Sequence, residues 1–285
     1  MVPWFSFAAM LLVRTEELDI HRNLALEECL LGLVAERGPI LFLWRSAGAV
    51  VLGKNQNPWR EVNLPVLRAE GLALARRCSG GGTVFQDAGN LNYALALPRD
   101  TYDQDQVFDQ LIRAFHEVGI PATRGPHHGL VVHGRKFSGS AFCFRQRAAL
   151  HHGTLLVNAD LARLSRVLTG GLQLSTRAIS SHPMPVVNLA EVKSHFDLEA
   201  AAQVLMHAFS DKLQPLDTKE LDALPWQIKA EGHRSWDWQF GQTPPFEFDF
   251  LGVTVRVEHG RAVTPPLDSL TDEQRALLAG LLGPV

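Results

Sequence analysis

Strand-like runs and helical stripes interleave along this chain without regular alternation. That order constrains the fold more than any single motif, because a wound parallel sheet needs a helix after each strand and a helical bundle needs no strands. Asp19 to Arg37 carries apolar residues at Ile20, Leu24, Leu26, Cys29, Leu30, Leu33 and Val34. The spacing predicts a helix, and Gly38-Pro39 stops it with a C-cap glycine and a breaker. Ile40 to Trp44 and Ala49 to Leu52 follow as short apolar runs, divided by Ser46-Ala47-Gly48 and closed by Asn55-Gln56-Asn57-Pro58, which predicts two strands and a long turn. Val62 to Glu70 reads as helical and Leu72 to Ala75 as extended. Asp105 to Gly119 places Val107, Phe108, Leu111, Phe115 and Val118 on one helical face. Leu130 to His133 and Leu155 to Val157 read as strands, Asp160 to Leu168 as a capped helix, and Leu198 to Leu213 as an amphipathic helix with Asp197 as N-cap. The expected class is α+β, a mixed or antiparallel sheet with packed helices.

The 285 residues, 46% hydrophobic, suffice for one substantial core and at most two domains. With 27 basic and 30 acidic side chains the net charge is −3, so no basic surplus draws the chain to nucleic acid or to an anionic membrane. Cys29, Cys78 and Cys143 are odd in number and far apart. They suggest neither a disulfide framework nor a structural zinc site, and a cytoplasmic location is expected. Val2 to Val13 is too short to span a bilayer and reads as an early strand with an uncleaved start; no apolar run of ~20 residues occurs. From about Leu216 the composition turns toward Pro, Asp and aromatic residues. Trp236 to Pro245 then separates the helices from two expected strands, Phe246 to Phe250 and Val253 to Glu258, and from a last helix, Ser269 to Leu282. The expected division is a catalytic domain over 1–228 and a short α+β accessory region over 229–285. A tail of ~55 residues is marginal as an independent core and should pack on the rest.

Gly48-Ala-Val-Val-Leu-Gly53-Lys54-Asn55 matches the G-x-x-x-x-G-K pattern of phosphate loops. Its middle residues read instead as a buried strand, and Asn stands where a magnesium-holding hydroxyl belongs. Arg76-Arg77-Cys78-Ser79-Gly80-Gly81-Gly82-Thr83-Val84-Phe85 reads as an anion-binding loop or as a flexible turn flanked by solvated arginines. Asp87-Ala88-Gly89-Asn90 is turn chemistry first. In Gly134-Arg135-Lys136-Phe137-Ser138-Gly139-Ser140-Ala141 a lysine sits among small residues beside an apolar strand. It is either a surface lysine in a turn or a point charge for a carboxylate and its activating phosphate. His127-His128 and His151-His152 are neighbours that would face opposite ways on a strand, so neither pair makes a metal site alone, and no metal ligand is assigned. Cys143, with His151 or His152 as base, and Cys78 are nucleophile candidates beside the commoner reading of buried small hydrophobes.

In order and spacing these stretches resemble the lipoate-protein ligase A family, which shares the biotin/lipoate ligase catalytic domain and includes octanoyl and lipoyl transferases. The resemblance runs through Asn23-Leu-Ala-Leu-Glu-Glu28, Leu43-Trp44-Arg45, Gly53 to Trp59, the Arg-Arg-x-Ser-Gly-Gly-Gly block, Gly134 to Ala141, His151-His-Gly-Thr154 and Trp238 to Phe246. It implies activation of lipoate or octanoate with ATP and Mg²⁺ to an acyl-adenylate, and transfer to a lysine of a lipoyl domain. The implied acceptors are 2-oxoacid dehydrogenase E2 subunits and the glycine cleavage H protein. By motif, Arg77 and the backbone of Gly82, Thr83, Val84 and Phe85 would hold the nucleotide. Ser79, Gly80, Gly81 and Gly82 would line the acyl carboxylate, and Lys136 would be the catalytic lysine. Asn90, Gly139, His152, Gly153 and Thr154 complete the implied binding set. Two stretches depart from the family pattern: Ser181-His182-Pro183-Met184-Pro185-Val186-Val187-Asn188-Leu189 lacks the usual arginines, and Gly125-Pro126-His127-His128 replaces a polar turn. Two alternatives therefore stand beside the ligase: an ATP-independent octanoyl or lipoyl transferase, using Cys143 if a thioester forms, and a non-catalytic lipoyl-domain binder.

Overall fold

The computed structural model describes residues 9–266 and 269–283, which form two compact units, each assembled from three separated stretches. The first takes the described part of Met1–Gly48 with Gln86–Leu161 and His182–Ala230. The second takes Ala49–Phe85, Ala162–Ser181 and the described part of Glu231–Val285.

The first unit is built on an eight-stranded mixed sheet. Its spatial order is Leu213–Pro215, Met10–Arg14, Ile40–Trp44, Asn90–Pro98, Ala148–Leu156, Arg135–Phe144, Gly129–Val132 and Thr123–Arg124. The first three strands run parallel and the rest pair antiparallel. Residues 2–8 of the expected early strand lie outside the described residues. The Ile20–Arg37 helix starts where Asp19 accepts from the His21 and Arg22 N–H groups, and ends at Gly38 with φ 77°. The expected helix through Leu213 stops at Phe209. Leu213–Pro215 instead pairs with Met10–Leu12 at the sheet edge, where a proline, lacking a ladder donor, is tolerated. Arg135–Phe144 is a ten-residue strand that the Gly- and Ser-rich sequence did not announce, since small residues weaken the strand signal.

Alternation along Ala148–Leu156 sends His151 and His152 to opposite faces. The His151 ring lies against Phe108 of the Gln104–Glu117 helix, with ring centroids 5.2 Å apart. Nδ1 of His152 lies 2.7 Å from Glu27 of the Ile20–Arg37 helix. The two faces thus carry different helices, and the main core fills the His151 side with Leu41, Leu43, Tyr93, Leu95, Leu111, Phe115 and Phe209.

Burial beside His152, His128 and Arg124 pushes the His151 imidazole down to about 3. The folded chain therefore keeps it neutral, while the unfolded chain takes up a proton near pH 6.5, so stability rises with pH between about 3 and 6.5. On acidification from pH 6.5 to 5 this one group should cost about 2 kcal/mol. Urea unfolding at the two pH values should show that loss, and His151→Leu should remove most of it. An unchanged slope in the variant would show that the imidazole titrates in the folded state.

In the second unit the Ala49–Leu52 part of the Gly48–Leu52 strand runs parallel to Ala73–Arg76, with Val50 opposite Leu74. Ala49, Val50, Val51 and Leu52 are buried, so the stretch that matched a phosphate loop is a core strand. A second sheet orders Ser175–Thr176, Phe246–Phe250, Val253–Glu258 and Arg261–Thr264. The last helix spans Asp272–Leu282, capped by Thr271 and Gln274. Phe246, Phe248, Val255, Val257, Leu278 and Leu282 share one core with Val50, Leu52, Trp59 and Phe85. The chain after residue 230 thus closes its apolar face on residues 49–85. Among the described residues no helix is long and apolar enough to cross a membrane.

Candidate active site

Lys136 is the second residue of the Arg135–Phe144 strand. Val131 pairs with Lys136 and Leu130 with Ser138, so Phe137 is the extra residue of a bulge. Because Val131 and Leu130 face opposite ways, the bulge turns Lys136 to the face opposite Ser138, which is the face of Gly139. Its stem lies over two glycines that pair with each other, Gly129 and Gly139. A Cβ on Gly129 would stand 3.0 Å from Cε, and one on Gly139 would stand 3.1 Å from Cε and 3.2 Å from Nζ. The glycines are a trough for the lysine. Its backbone is held too: the Lys136 N–H donates to the Pro185 carbonyl at 2.8 Å, and its carbonyl accepts from the Val187 N–H at 3.0 Å. Pro185, with no N–H of its own, supplies the one group this register needs.

The cross-strand row through Gly139 continues to Thr154, Asn92 and Trp44. The next row is Ala141, His152, Ala94 and Phe42. Lys136, Gly139, His152 and Thr154 therefore share one sheet face, and Asn90 follows on it two residues from Asn92. Buried Glu27 organises this face, accepting from Trp44 Nε1 at 3.0 Å and lying 2.7 Å from His152 Nδ1. Both carboxylate oxygens are occupied, which is what a buried carboxylate requires. On this face Gly139, Ala141 and Thr154 are half-buried while Asn92, Ala94, Trp44 and His152 are buried, so the face is more open toward the lysine strand. Gly153 looks the other way: a Cβ there would strike the Tyr93 hydroxyl at 2.6 Å.

Cys143 lies on the lysine face but four residues beyond Gly139, ~13 Å along the strand at ~3.3 Å per residue. It is buried opposite Leu150, the usual place of a small core side chain. Asp87 is turn chemistry: it accepts from the Gly89 N–H at 2.9 Å and the Asp160 N–H at 2.8 Å. Among the described residues, no three His, Cys, Asp or Glu side chains gather as metal ligands.

In the second unit the glycine block wraps its own arginine. Arg77 donates to Ser79 Oγ at 3.0 Å and to the carbonyls of Gly80, Gly82 and Val51 at 2.5, 2.8 and 3.2 Å. Arg76 points away and donates to the carbonyls of Gly53, Lys54, Gln56, Trp238 and Gln239 and to Thr243 Oγ1. The sequence left this block as an anion-binding loop or as a turn flanked by solvated arginines; in the structure both arginines are buried and donate to backbone carbonyls. Gly53 approaches the block so closely that a Cβ on it would meet the Gly81 carbonyl at 2.1 Å.

Gln56 had no role in the sequence reading beyond the resemblance. Its Oε1 accepts from the Gly53 N–H at 2.9 Å and from Thr83 Oγ1 at 2.8 Å, and its Nε2 donates to Ser181 Oγ at 2.9 Å. Only a long-range contact shows this, and the turn-like Asn55-Gln56-Asn57-Pro58 gave no signal for it.

The catalytic-domain description of lipoyl protein ligase A/B matches residues 19–210. Lipoate-protein ligase A of Psychrobacter cryohalolentis is 35% identical over 237 residues, covering 79% of this chain and 70% of that protein. Among solved structures, P. falciparum LipL1 in complex with lipoate superposes with a TM-score of 0.73 at 26% identity, over 89% of this chain and 82% of that one. A lipoate-protein ligase A bound with ATP shares the fold at a TM-score of 0.65 and 21% identity, over 81% of this chain and 97% of that one. This α+β chain belongs to the lipoyl protein ligase A/B catalytic-domain family, a family of enzymes.

Proposed function

We propose that this chain is a lipoate-protein ligase that activates lipoate or octanoate with ATP and passes the acyl group to a lysine of a lipoyl domain. The observation that carries the reading is Lys136, laid over paired glycines on the open part of a sheet face in a member of this family. The relatives whose names give lipoate and ATP support the substrates. A structure of an archaeal ligase with its E2 lipoyl domain supports the acceptor class. We extend that class to E2 subunits and to the glycine cleavage H protein, and place the enzyme in the cytoplasm.

In the first step a carboxylate oxygen of the acid attacks the α-phosphorus of ATP. The bond to the bridging oxygen breaks, pyrophosphate leaves, and an acyl-adenylate forms. In the second step the neutral amine of the acceptor lysine attacks the acyl carbon. AMP leaves with the bonding electron pair, the nitrogen loses its proton to solvent, and an amide results. Negative charge develops on the phosphoryl oxygens and then on the acyl oxygen. A fixed ammonium at Lys136 favours both transition states over the ground states. Mg²⁺ carried in with ATP would neutralise phosphate charge. The acyl chain would follow the lysine face past Ala141 and Ala94 toward the Glu27–His152 pair. As the resemblance implies, the block Ser79 to Phe85 would hold the nucleotide, with Arg77 acting through the loop it shapes. Residues 229–285 would serve as an accessory region by completing the core of the second unit.

Incubation with ATP, Mg²⁺, octanoate or lipoate and an apo lipoyl domain should raise the acceptor's mass by one acyl group, and omission of ATP should abolish the shift. Transfer from an acyl carrier without ATP would replace this reading with the transferase.

A further inference from the structure

Ser181 closes the glycine block from outside. Its Oγ accepts from the Thr83 N–H at 2.9 Å and from Gln56 Nε2 at 2.9 Å, so one hydroxyl oxygen fills a seat made by two N–H donors. The orientation of Gln56 is fixed by its other partners. The Gly53 N–H is an obligate donor and needs the amide oxygen, which leaves Nε2 facing Ser181. A glycine at 82 is part of the fit, since a Cβ there would stand 3.2 Å from Ser181 Oγ. Gly82, Thr83 and Val84 are half-buried and Gly81 is exposed, so the Thr83 side of the seat borders solvent while Gln56 forms its buried side.

Two converging N–H groups suit an anionic oxygen better than a neutral hydroxyl, because charge-assisted hydrogen bonds are roughly twice as strong. The Ser181 backbone is anchored separately, its N–H donating to Glu61 Oε2 at 3.1 Å, while Glu61 pairs with Arg60 at 2.8 Å. Rotation about χ1 therefore empties the seat without moving the main chain.

We propose that Thr83 N–H and Gln56 Nε2 form a phosphate-oxygen seat for the nucleotide, and that the Ser181 hydroxyl occupies it as a placeholder which the ligand displaces. The inference rests on the reading of the glycine block as the nucleotide site, and makes Gln56 a binding residue and Ser181 a competitor.

Titration calorimetry with ATP, without the acid substrate, tests it. Ser181→Ala should tighten ATP about five- to tenfold, since the competing oxygen is gone, and should leave adenosine binding unchanged, since adenosine carries no phosphate. Gln56→Glu, which keeps Oε1 and turns the donor into an anionic acceptor, should weaken ATP at least tenfold relative to its own adenosine affinity, a ratio that controls for the lower thermal midpoint expected of a carboxylate at a fully buried position. Independently of any nucleotide, amide hydrogen exchange at Thr83 should speed up in Ser181→Ala and slow again when ATP is added. If Ser181→Ala binds ATP as the wild type does or more weakly, or if Thr83 exchange does not change, the placeholder is wrong while the nucleotide reading stands. If the wild type binds no ATP at all, that reading falls and takes the seat with it.

Discussion

Lys136→Met should lower kcat/KM for acyl transfer by about 10²- to 10³-fold, the usual loss when one fixed charge is removed from a developing oxyanion. Methionine keeps a stem of similar length over Gly129 and Gly139 and removes the ammonium. The thermal midpoint should stay within a degree or two, as for a side chain that leaves no cavity. Lys136→Arg should not rescue. A planar guanidinium is broader than an ammonium, and the trough under Lys136 exists because two positions carry no Cβ. The two chemical steps can be read separately. Pyrophosphate exchange into ATP reports adenylate formation, and single-turnover transfer from preformed acyl-adenylate reports the second step. Loss in both fits one charge serving both transition states. Loss in exchange alone would confine the lysine to activation, and full activity in both would remove it from the chemistry.

How much of this was legible in the sequence depends on the range of the interaction concerned. The Ile20–Arg37 and Gln104–Glu117 helices were readable because apolar spacing is written locally, and Gly38 sits at the end of the first. The strand Gly48–Leu52 was readable against a phosphate-loop motif because four successive apolar residues outweigh two glycines. The lysine strand was not. Its turn-like composition follows from the trough: Gly129 and Gly139 are glycines because a side chain crosses them, a fact held in the pairing of two strands. The block Arg76 to Phe85 was recognisable as special, but the direction of its arginines was not: Arg77 turns back on Ser79, Gly80 and Gly82 and reaches Val51, while Arg76 finds its partners from Gly53 to Gln56 and from Trp238 to Thr243. The division of the chain was the least legible part. Contacts gather 49–85, 162–181 and 231–285 into one unit, and a linear reading of composition shifts cannot show a core assembled from three distant stretches.

That assembly makes Arg76 the residue whose loss should cost the most stability. The side chain is fully buried, and burial draws its pKa down to about 10, which leaves it charged at neutral pH. Its donors reach the carbonyls of Gly53, Lys54 and Gln56 on one side. On the other they reach the carbonyls of Trp238 and Gln239, at 3.1 and 2.7 Å, and Thr243 Oγ1 at 3.0 Å. Trp238 answers by donating its indole N–H to the Arg76 carbonyl at 2.7 Å. One planar fork thus ties the turn under the glycine block to the turn that opens the last sheet. Arg76→Met fills similar space but leaves several buried carbonyls without donors, each costing about 1–3 kcal/mol. Relief from burying a charge offsets part of this, so the net loss should be about 3–5 kcal/mol, as when one partner of a buried charge network is removed. That is a large fraction of the ~5–15 kcal/mol that holds a typical domain. Arg76→Lys should recover less than half of it, because a single ammonium cannot span both turns. Denaturant unfolding of the two variants checks the ranking. If Met and Lys destabilise equally and by less than about 1 kcal/mol, the carbonyls must find water, and the fork is not what joins the two turns.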